Sequence, residues 1–323
     1  MTNVKLAPDQ LDRAQGVLLG AAIGDALGTG YEFGTAKFEG RAEMIGGGLG
    51  NFSPGEWSDD TSQTFAVAQA AAKYHDLRTP EALDAVAAGI GRWFSDDPPD
   101  VGNITRSVLI EAGPQPSAAR LKGVARYFYV RHDRSAGNGS LMRTAPVALA
   151  HLRDPHALVQ AAMAVSDLTH GDQLAAEACA IWCLGIRTTV LLGGFEQLEN
   201  LVGYLPDEAS QIRWAGYLRD AESNPPKSFS PNGWVVSALQ AALSAIRHTP
   251  IPPWKPSDHF QDSLNTAISI GDDTDTVASI AGAMLGARWG ARALPAEWRA
   301  MVHGWPNATG EDLVNLATQI VTG

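Results

Sequence analysis

Two short stretches concentrate oxygen-bearing side chains where a helix should begin. In WSDDTSQT, Ser58, Asp59, Asp60 and Thr61 precede an apolar run. In SIGDDTDTVASIAG, Asp272, Asp273, Thr274, Asp275 and Thr276 do the same more than two hundred residues later. Asp, Ser and Thr are favoured helix caps and carboxylates favour the positive helix end, so capping accounts for one such opening. It accounts less well for two. A cap uses one or two side chains, and crowded carboxylates repel one another unless a cation neutralises them. Oxygen donors without neighbouring His or Cys suit Mg2+, Mn2+ or Ca2+ rather than zinc. Five carboxylates from two segments are enough for two adjacent ions, which together can bind a diol or oxyanion and activate a water.

The elements that must position these residues are helices. Apolar periodicity predicts helices over residues 11–29, 62–74, 80–94, 103–111, 140–151, 155–167, 172–190, 207–222, 233–247, 259–268, 276–290 and 310–321. Convincing alternating strands are absent, so the chain reads as all-α. The loops rich in Gly and Pro, such as MIGGGLGNFSPGE and HTPIPPWKPSD, are short or mixed with aromatics, and none reads as a flexible linker. One domain over 1–323 is expected. Glycines recur every four residues at Gly16, Gly20, Gly24 and Gly28, and again at Gly282, Gly286 and Gly290. A helical glycine costs ~1 kcal/mol against alanine, so two such stripes predict closely approaching helices at the centre of the bundle.

Composition narrows the function class. The 323 residues carry a formal net charge of −11, with a pI near 5.1. This argues against general attraction to a nucleic-acid backbone while leaving room for a nucleotide pocket. The two cysteines, Cys179 and Cys183, stand four apart on a predicted helix, a poor fit to a disulfide or a zinc site, and read as buried core thiols in a reducing compartment. The opening MTNVKLAPDQ has no apolar leader, and no run of ~18 uninterrupted apolar residues reads as a membrane span. A cytoplasmic, soluble protein is expected.

Taken together the motifs resemble those of the ADP-ribosylglycohydrolase family, which includes the dinitrogenase reductase-activating glycohydrolase. The matching stretches run in family order from GVLLGAAIGDALGTGYEF and WSDDTSQT through PPDVGNITRSVL, GNGSLMRTAPVAL and SDLTHGD to SPNGWVVSAL and GDDTDTVASIAGAMLGARWG. The resemblance implies a mostly orthogonal α-helical domain with a dinuclear Mg2+ or Mn2+ centre in a cleft. It also implies hydrolysis of the bond to C1″ of the distal ribose of ADP-ribose by a water activated there. Carried over residue by residue, the implied metal ligands are Ser58, Asp59, Asp60, Asp273, Asp275 and Thr276. Asp272 stands where the family usually has glycine and is not counted as a ligand.

The same resemblance assigns further residues. Glu32, otherwise an ordinary solvated acid after a helix, is implied to lie beside the metals. Asp100 and Asn103, each a plausible cap, are implied to face the substrate ribose. Glu32, Asp60 and Asp100 are the catalytic candidates, Glu32 and Asp100 as acid and base. SAGNGSLMR reads as a glycine-rich loop feeding a helix near Ser140, and such helix starts bind anions. In the family pattern Gly137, Asn138, Gly139, Ser140 and Met142 would cradle the diphosphate and ribose. His170 would be a pocket residue near the phosphates. Trp234, where relatives commonly have tyrosine, is expected to flank the ligand, since aromatic faces stack on nucleobases. The implied partner is ADP-ribose or an ADP-ribosylated substrate, with no membrane, and a monomer is expected. The leaving group stays open among arginine, serine, nucleic acid and phosphate. A non-catalytic or crystallin-like member of the fold, and a metal-dependent phosphatase on ADP-ribose-1″-phosphate, are the alternatives.

Overall fold

The computed structural model describes residues 6–131, 136–195 and 197–323. Met1 to Lys5 of the N-terminal stretch and Ser135 of the glycine-rich motif therefore lie outside the described residues. Fourteen α-helices are present among the described residues: α1 Pro8–Gly28, α2 Asp59–Tyr74, α3 Pro80–Ser95, α4 Asn103–Ala112, α5 Ala118–Arg131, α6 Ala145–Ala150 and α7 Pro155–Ser166. They continue as α8 Gln173–Leu192, α9 Glu208–Ser223, α10 Val235–His248, α11 His259–Ile268, α12 Thr274–Trp289, α13 Ala296–Met301 and α14 Gly310–Thr322. Among the described residues the strands are one antiparallel pair of two residues each, His303–Gly304 with Ala308–Thr309. The all-α expectation is met.

The glycine stripes do what their spacing predicts. α1 and α12 run antiparallel and share the most extensive contact between any two elements. A Cβ built on Gly16 would strike Gly286, one on Gly20 would strike Gly282, and one on Gly28 would strike Asp275, in each case against backbone atoms. This register sets the end of α1 against the start of α12. It carries Asp25 and the 3-10 turn Thr29–Gly34 to the second acidic opening. α14 packs on α1 and α2, while α8, α10 and α11 surround the rest of α12.

α8 is long and apolar enough by composition to cross a bilayer, but its apolar run is interrupted by Glu177 and Arg187 and an 18-residue window of it is 83% buried inside the protein, as befits a core helix. Two sequence expectations need correction. The segment over 140–151 is not one helix: residues 139–143 form turns and α6 begins at Ala145, with Pro146 in its first turn. α5 was not expected, because its basic and aromatic residues mask the buried stripe of Leu121, Val124 and Ala125. Both cysteines are free and buried, as expected.

Candidate functional site

The two acidic openings meet. α2 is capped by Ser58, whose side chain accepts the amide of Asp60, and no carboxylate of the first opening is used as a cap. Asp273 makes no cap bond at the start of α12, where Asp275 Oδ1 accepts the Thr276 amide at 2.9 Å. Local capping at the two openings thus takes one hydroxyl and one carboxylate oxygen, fewer than they supply. Asp59, Asp60 and Asp275 are buried, and Asp60 is 1% exposed. The Thr276 hydroxyl and the Ser58 hydroxyl each lie 3.3 Å from Asp60 Oδ2. Asp60 Oδ1 and Glu32 Oε2 are buried oxygens without a hydrogen-bond partner.

Two sets of three carboxylates have oxygens within 4.8 Å of one another: Asp25, Asp60 and Asp275, and Glu32, Asp273 and Asp275. Asp275 belongs to both. Burial, followed by the mutual repulsion of neighbouring carboxylates, holds Asp59, Asp60 and Asp275 well above the usual carboxylate range. Glu32 is pushed up to about 9, by burial first and then by Asp273, Asp100, Asp59 and Asp25. No Lys or Arg lines the cleft among the described residues; Arg106 acts on Asp100 and Arg143 on Asp59 from outside that lining, and burial and mutual repulsion still hold the carboxylates up. Orphaned oxygens, an all-oxygen donor set and crowded carboxylates fit hard divalent cations.

Asp25 is the residue that sequence reasoning missed. Wholly buried, it accepts the amides of Ser58 and Thr61 at 2.9 Å each and the Thr61 hydroxyl at 2.6 Å, while the Thr29 hydroxyl lies 3.3 Å away. Its lone pairs are therefore committed to the start of α2, and it acts by fixing Ser58 and its neighbours in place. The available signal is a single acid in the otherwise apolar, glycine-striped α1. Asn232 was also missed. It accepts the Asp273 amide at 2.9 Å and donates to Gly271 O at 3.1 Å, pinning the loop before α12.

Above the carboxylates opens a cleft of about 840 Å3. It is lined by Glu32, Asp59, Asp100, Asn103, Gly137, Asn138, Gly139, Met142, His170, Trp234, Asp273, Asp275 and Thr276. Ser58 and Asp60 lie beneath this lining, and Ser140 is turned away from it. The Ser140 hydroxyl is buried and accepts from Ser166 at 2.8 Å, so the expected contact of its side chain with ligand is not available. The expected helix start near Ser140 is likewise a loop. That loop is anchored where Asn138 donates to Asp273 Oδ2 at 2.8 Å and where Gly137 bridges Trp234. Asp100 and Asn103 do not cap α4, whose cap is Gly102. Trp234 is 44% exposed beside the loop, edge-on to Tyr217 at 6.0 Å. Asp272 has a left-handed φ of 58°, a conformation natural to glycine, and its carboxylate accepts from Ser230 at 2.6 Å outside the cleft.

A second cavity of about 520 Å3 shares Asp59 and Asp100 with the first. Its other walls include Glu56, Asp96, Asp97 and Trp305, again without Lys or Arg among the described residues.

Comparison with known proteins places this architecture. The family model for ADP-ribosylglycohydrolases matches residues 6–323. ADP-ribosylarginine hydrolase Tri1 of Pseudomonas putida (strain GB-1) is 31% identical over 304 residues, covering 91% of this chain and 75% of that protein. The ADP-ribosyl-[dinitrogen reductase] glycohydrolase of Rhodospirillum rubrum is 29% identical over 302 residues, 90% of each chain. A solved ADP-ribosylglycohydrolase-related protein complex superposes with a TM-score of 0.72 at 27% identity, covering 98% of this chain and 99% of that one. With the helices, the paired acidic openings and the glycine-rich loop all in place, the chain belongs to the ADP-ribosylglycohydrolase family.

Proposed function

We propose that the protein is a metal-dependent hydrolase that cleaves the bond to C1″ of ADP-ribose, working as one domain. One observation carries this reading: Glu32, Asp273 and Asp275 line a cleft walled by a glycine-rich loop and an aromatic side chain, and Asp275 also shares a second carboxylate cluster with Asp60 directly beneath. The residues fit two Mg2+ or Mn2+ ions, with Ser58, Asp59, Asp60, Asp273, Asp275 and Thr276 as the ligand set. Bound there, such cations neutralise the carboxylates, hold the ribose diol and lower the pKa of water.

The rest of the chemistry belongs to the chain. Asn138 and Asn232 hold Asp273 in register. The 137–139 backbone cradles the diphosphate, and Trp234 offers a face to the adenine. Glu32 and Asp100, both raised chiefly by burial, handle protons at the anomeric carbon and the leaving group. Surrounding carboxylates stabilise the positive charge that develops on the ribose as its glycosidic bond breaks.

The acidic side cavity favours a cationic leaving group. Glu56, Asp96, Asp97 and Trp305 beside the Asp59–Asp100 wall suit a planar guanidinium, which matches the ADP-ribosylarginine named for the Tri1 relative. ADP-ribose release from arginine, serine, nucleic-acid and 1″-phosphate linkages, measured with Mg2+, Mn2+ or EDTA, tests both parts. Metal-dependent release from the arginine linkage, lost in Asp60→Asn, is expected. Silence across all four linkages overturns the hydrolase; if the 1″-phosphate alone is cleaved, solvent 18O found in ADP-ribose marks attack at C1″ and solvent 18O found in phosphate marks the phosphatase.

A further inference from the structure

Behind the cleft, from the proposed ligand Asp59 to His170, runs a chain of buried polar groups, Gln63, Arg143 and Thr169, that the proposed chemistry does not use. Arg143 is fully buried, and its Nε finds no hydrogen-bond partner. Its Nη1 donates to Gln63 Oε1 at 2.6 Å, and Gln63 Nε2 donates in turn to Asp59 Oδ2 at 3.1 Å. On the other side its Nη2 donates to the Thr169 hydroxyl at 2.7 Å, and that hydroxyl lies 2.8 Å from His170 Nδ1.

We propose that Arg143 is a positioning residue that sets the direction of every hydrogen bond in this chain and thereby fixes His170 as the Nε2–H tautomer, a donor aimed at an anionic oxygen of the ligand. A guanidinium only donates. Gln63 must therefore turn its carbonyl to Arg143 and its amide to Asp59. Thr169, accepting from Arg143, has its proton free to give, and His170 Nδ1 is the acceptor within reach. Reversing that last bond would leave a buried hydroxyl proton unpaired, which is the expensive outcome. His170 Nδ1 is thus the bare nitrogen, and Nε2 carries the hydrogen. Nε2 lies beside Gly139, where a Cβ would approach it to 3.3 Å, on the wall of the cleft.

Burial and the nearby guanidinium keep the ring neutral, with a pKa lowered to about 3. Neutrality and tautomer answer different needs. A histidinium beside Arg143 would be repelled, and the other neutral tautomer would turn a lone pair toward the phosphates. The identity of the ligand rests on the proposed function; the tautomer does not.

The experiment separates the two. In protein labelled with 15N-histidine, the His170 signals, identified by their loss in His170→Gln, are expected to show a bare Nδ1 and a protonated Nε2 without any ligand. Thr169→Val should disturb this pattern and weaken ADP-ribose binding about ten- to a hundredfold, as befits one lost bond to a charged group. Thr169→Ser should restore both. A protonated Nδ1 in the wild type, or an unchanged tautomer and affinity in Thr169→Val, overturns the inference. Should Thr169→Val fail to fold, the wild-type spectrum alone decides. Wild-type protein with the expected tautomer but no affinity for ADP-ribose would instead overturn the proposed ligand.

Discussion

Replacing Gly20 by alanine sets two effects of opposite sign against each other. On helix propensity alone the change stabilises by ~1 kcal/mol, because alanine is the better helix former. Packing opposes it. The added Cβ would come closer than 2.5 Å to the backbone of Gly282, whereas ordinary contact begins at 3.4 Å, so the helices must part by about 1 Å. A gap of that size forfeits up to half of each dispersion contact, and it opens along the most extensive helix pair in the protein. Overpacking costs ~1–3 kcal/mol where side chains can adjust, and here the obstacle is backbone that cannot rotate away. We therefore take the upper end, leaving a net loss of ~2 kcal/mol after the propensity gain. The control is Gly123→Ala on the exposed face of α5, where nothing lies within 4 Å of the new Cβ and only the propensity gain should remain. Urea titrations of both variants, followed by circular dichroism, give the two signs directly. If Gly20→Ala is as stable as the wild type, the close-packed α1–α12 pair is not what holds this bundle together.

Further outcomes follow from the acidic cluster. In EDTA at pH 8, Asp60→Asn should melt above the wild type, because a buried carboxylate pushed well above its usual range opposes folding once ionised, while the gain in melting temperature on adding Mg2+ should vanish. Glu32 has a raised folded-state pKa, so its contribution to stability is full below about 4.5 and is lost as pH rises toward about 9. Metal-free protein should therefore lose stability across that window, and Glu32→Gln should flatten the curve of unfolding free energy against pH. Asp25→Asn puts an amide donor where Asp25 now accepts from Ser58 and Thr61, so it should cost about 1–3 kcal/mol per donor left unpaired and weaken Mn2+ binding measured by calorimetry.

The parts of this molecule that were legible in its sequence are those whose signal is local or periodic. The glycine stripes announced the α1–α12 pairing because a four-residue repeat is a statement about one helix face. The doubled acidic openings announced a carboxylate cluster because they carry more carboxylates than capping can use. Asp25 and Asn232 escaped for the opposite reason. The donors that satisfy Asp25 lie 33 and 36 residues away, and Asn232 acts on an amide 41 residues on, so neither has a pattern until the chain is folded. Ser140 misled for a related reason. Its place in a glycine-rich motif marks a loop near the cleft but not the direction of its side chain, which the hydroxyl of Ser166 decides. The start of α6 at Ala145 shows the same limit, since the turns at 139–143 are held by the contact of Asn138 with Asp273 far along the chain.

The proposed ligands come from the first fifth of the chain and from the last, and this has a consequence for its synthesis. Residues 58–60 leave the ribosome early, but their partners at 273–276 follow only when most of the polypeptide is out. No amino-terminal fragment that ends before Asp273 can assemble the cluster, whatever helices it forms. A divalent cation would then act as a clasp closed late, gripping only molecules whose two distant segments have already found each other. Metal retention would in that case report on completed folding, and a nascent chain stalled before Thr276 would stay open to proteases that finished molecules resist.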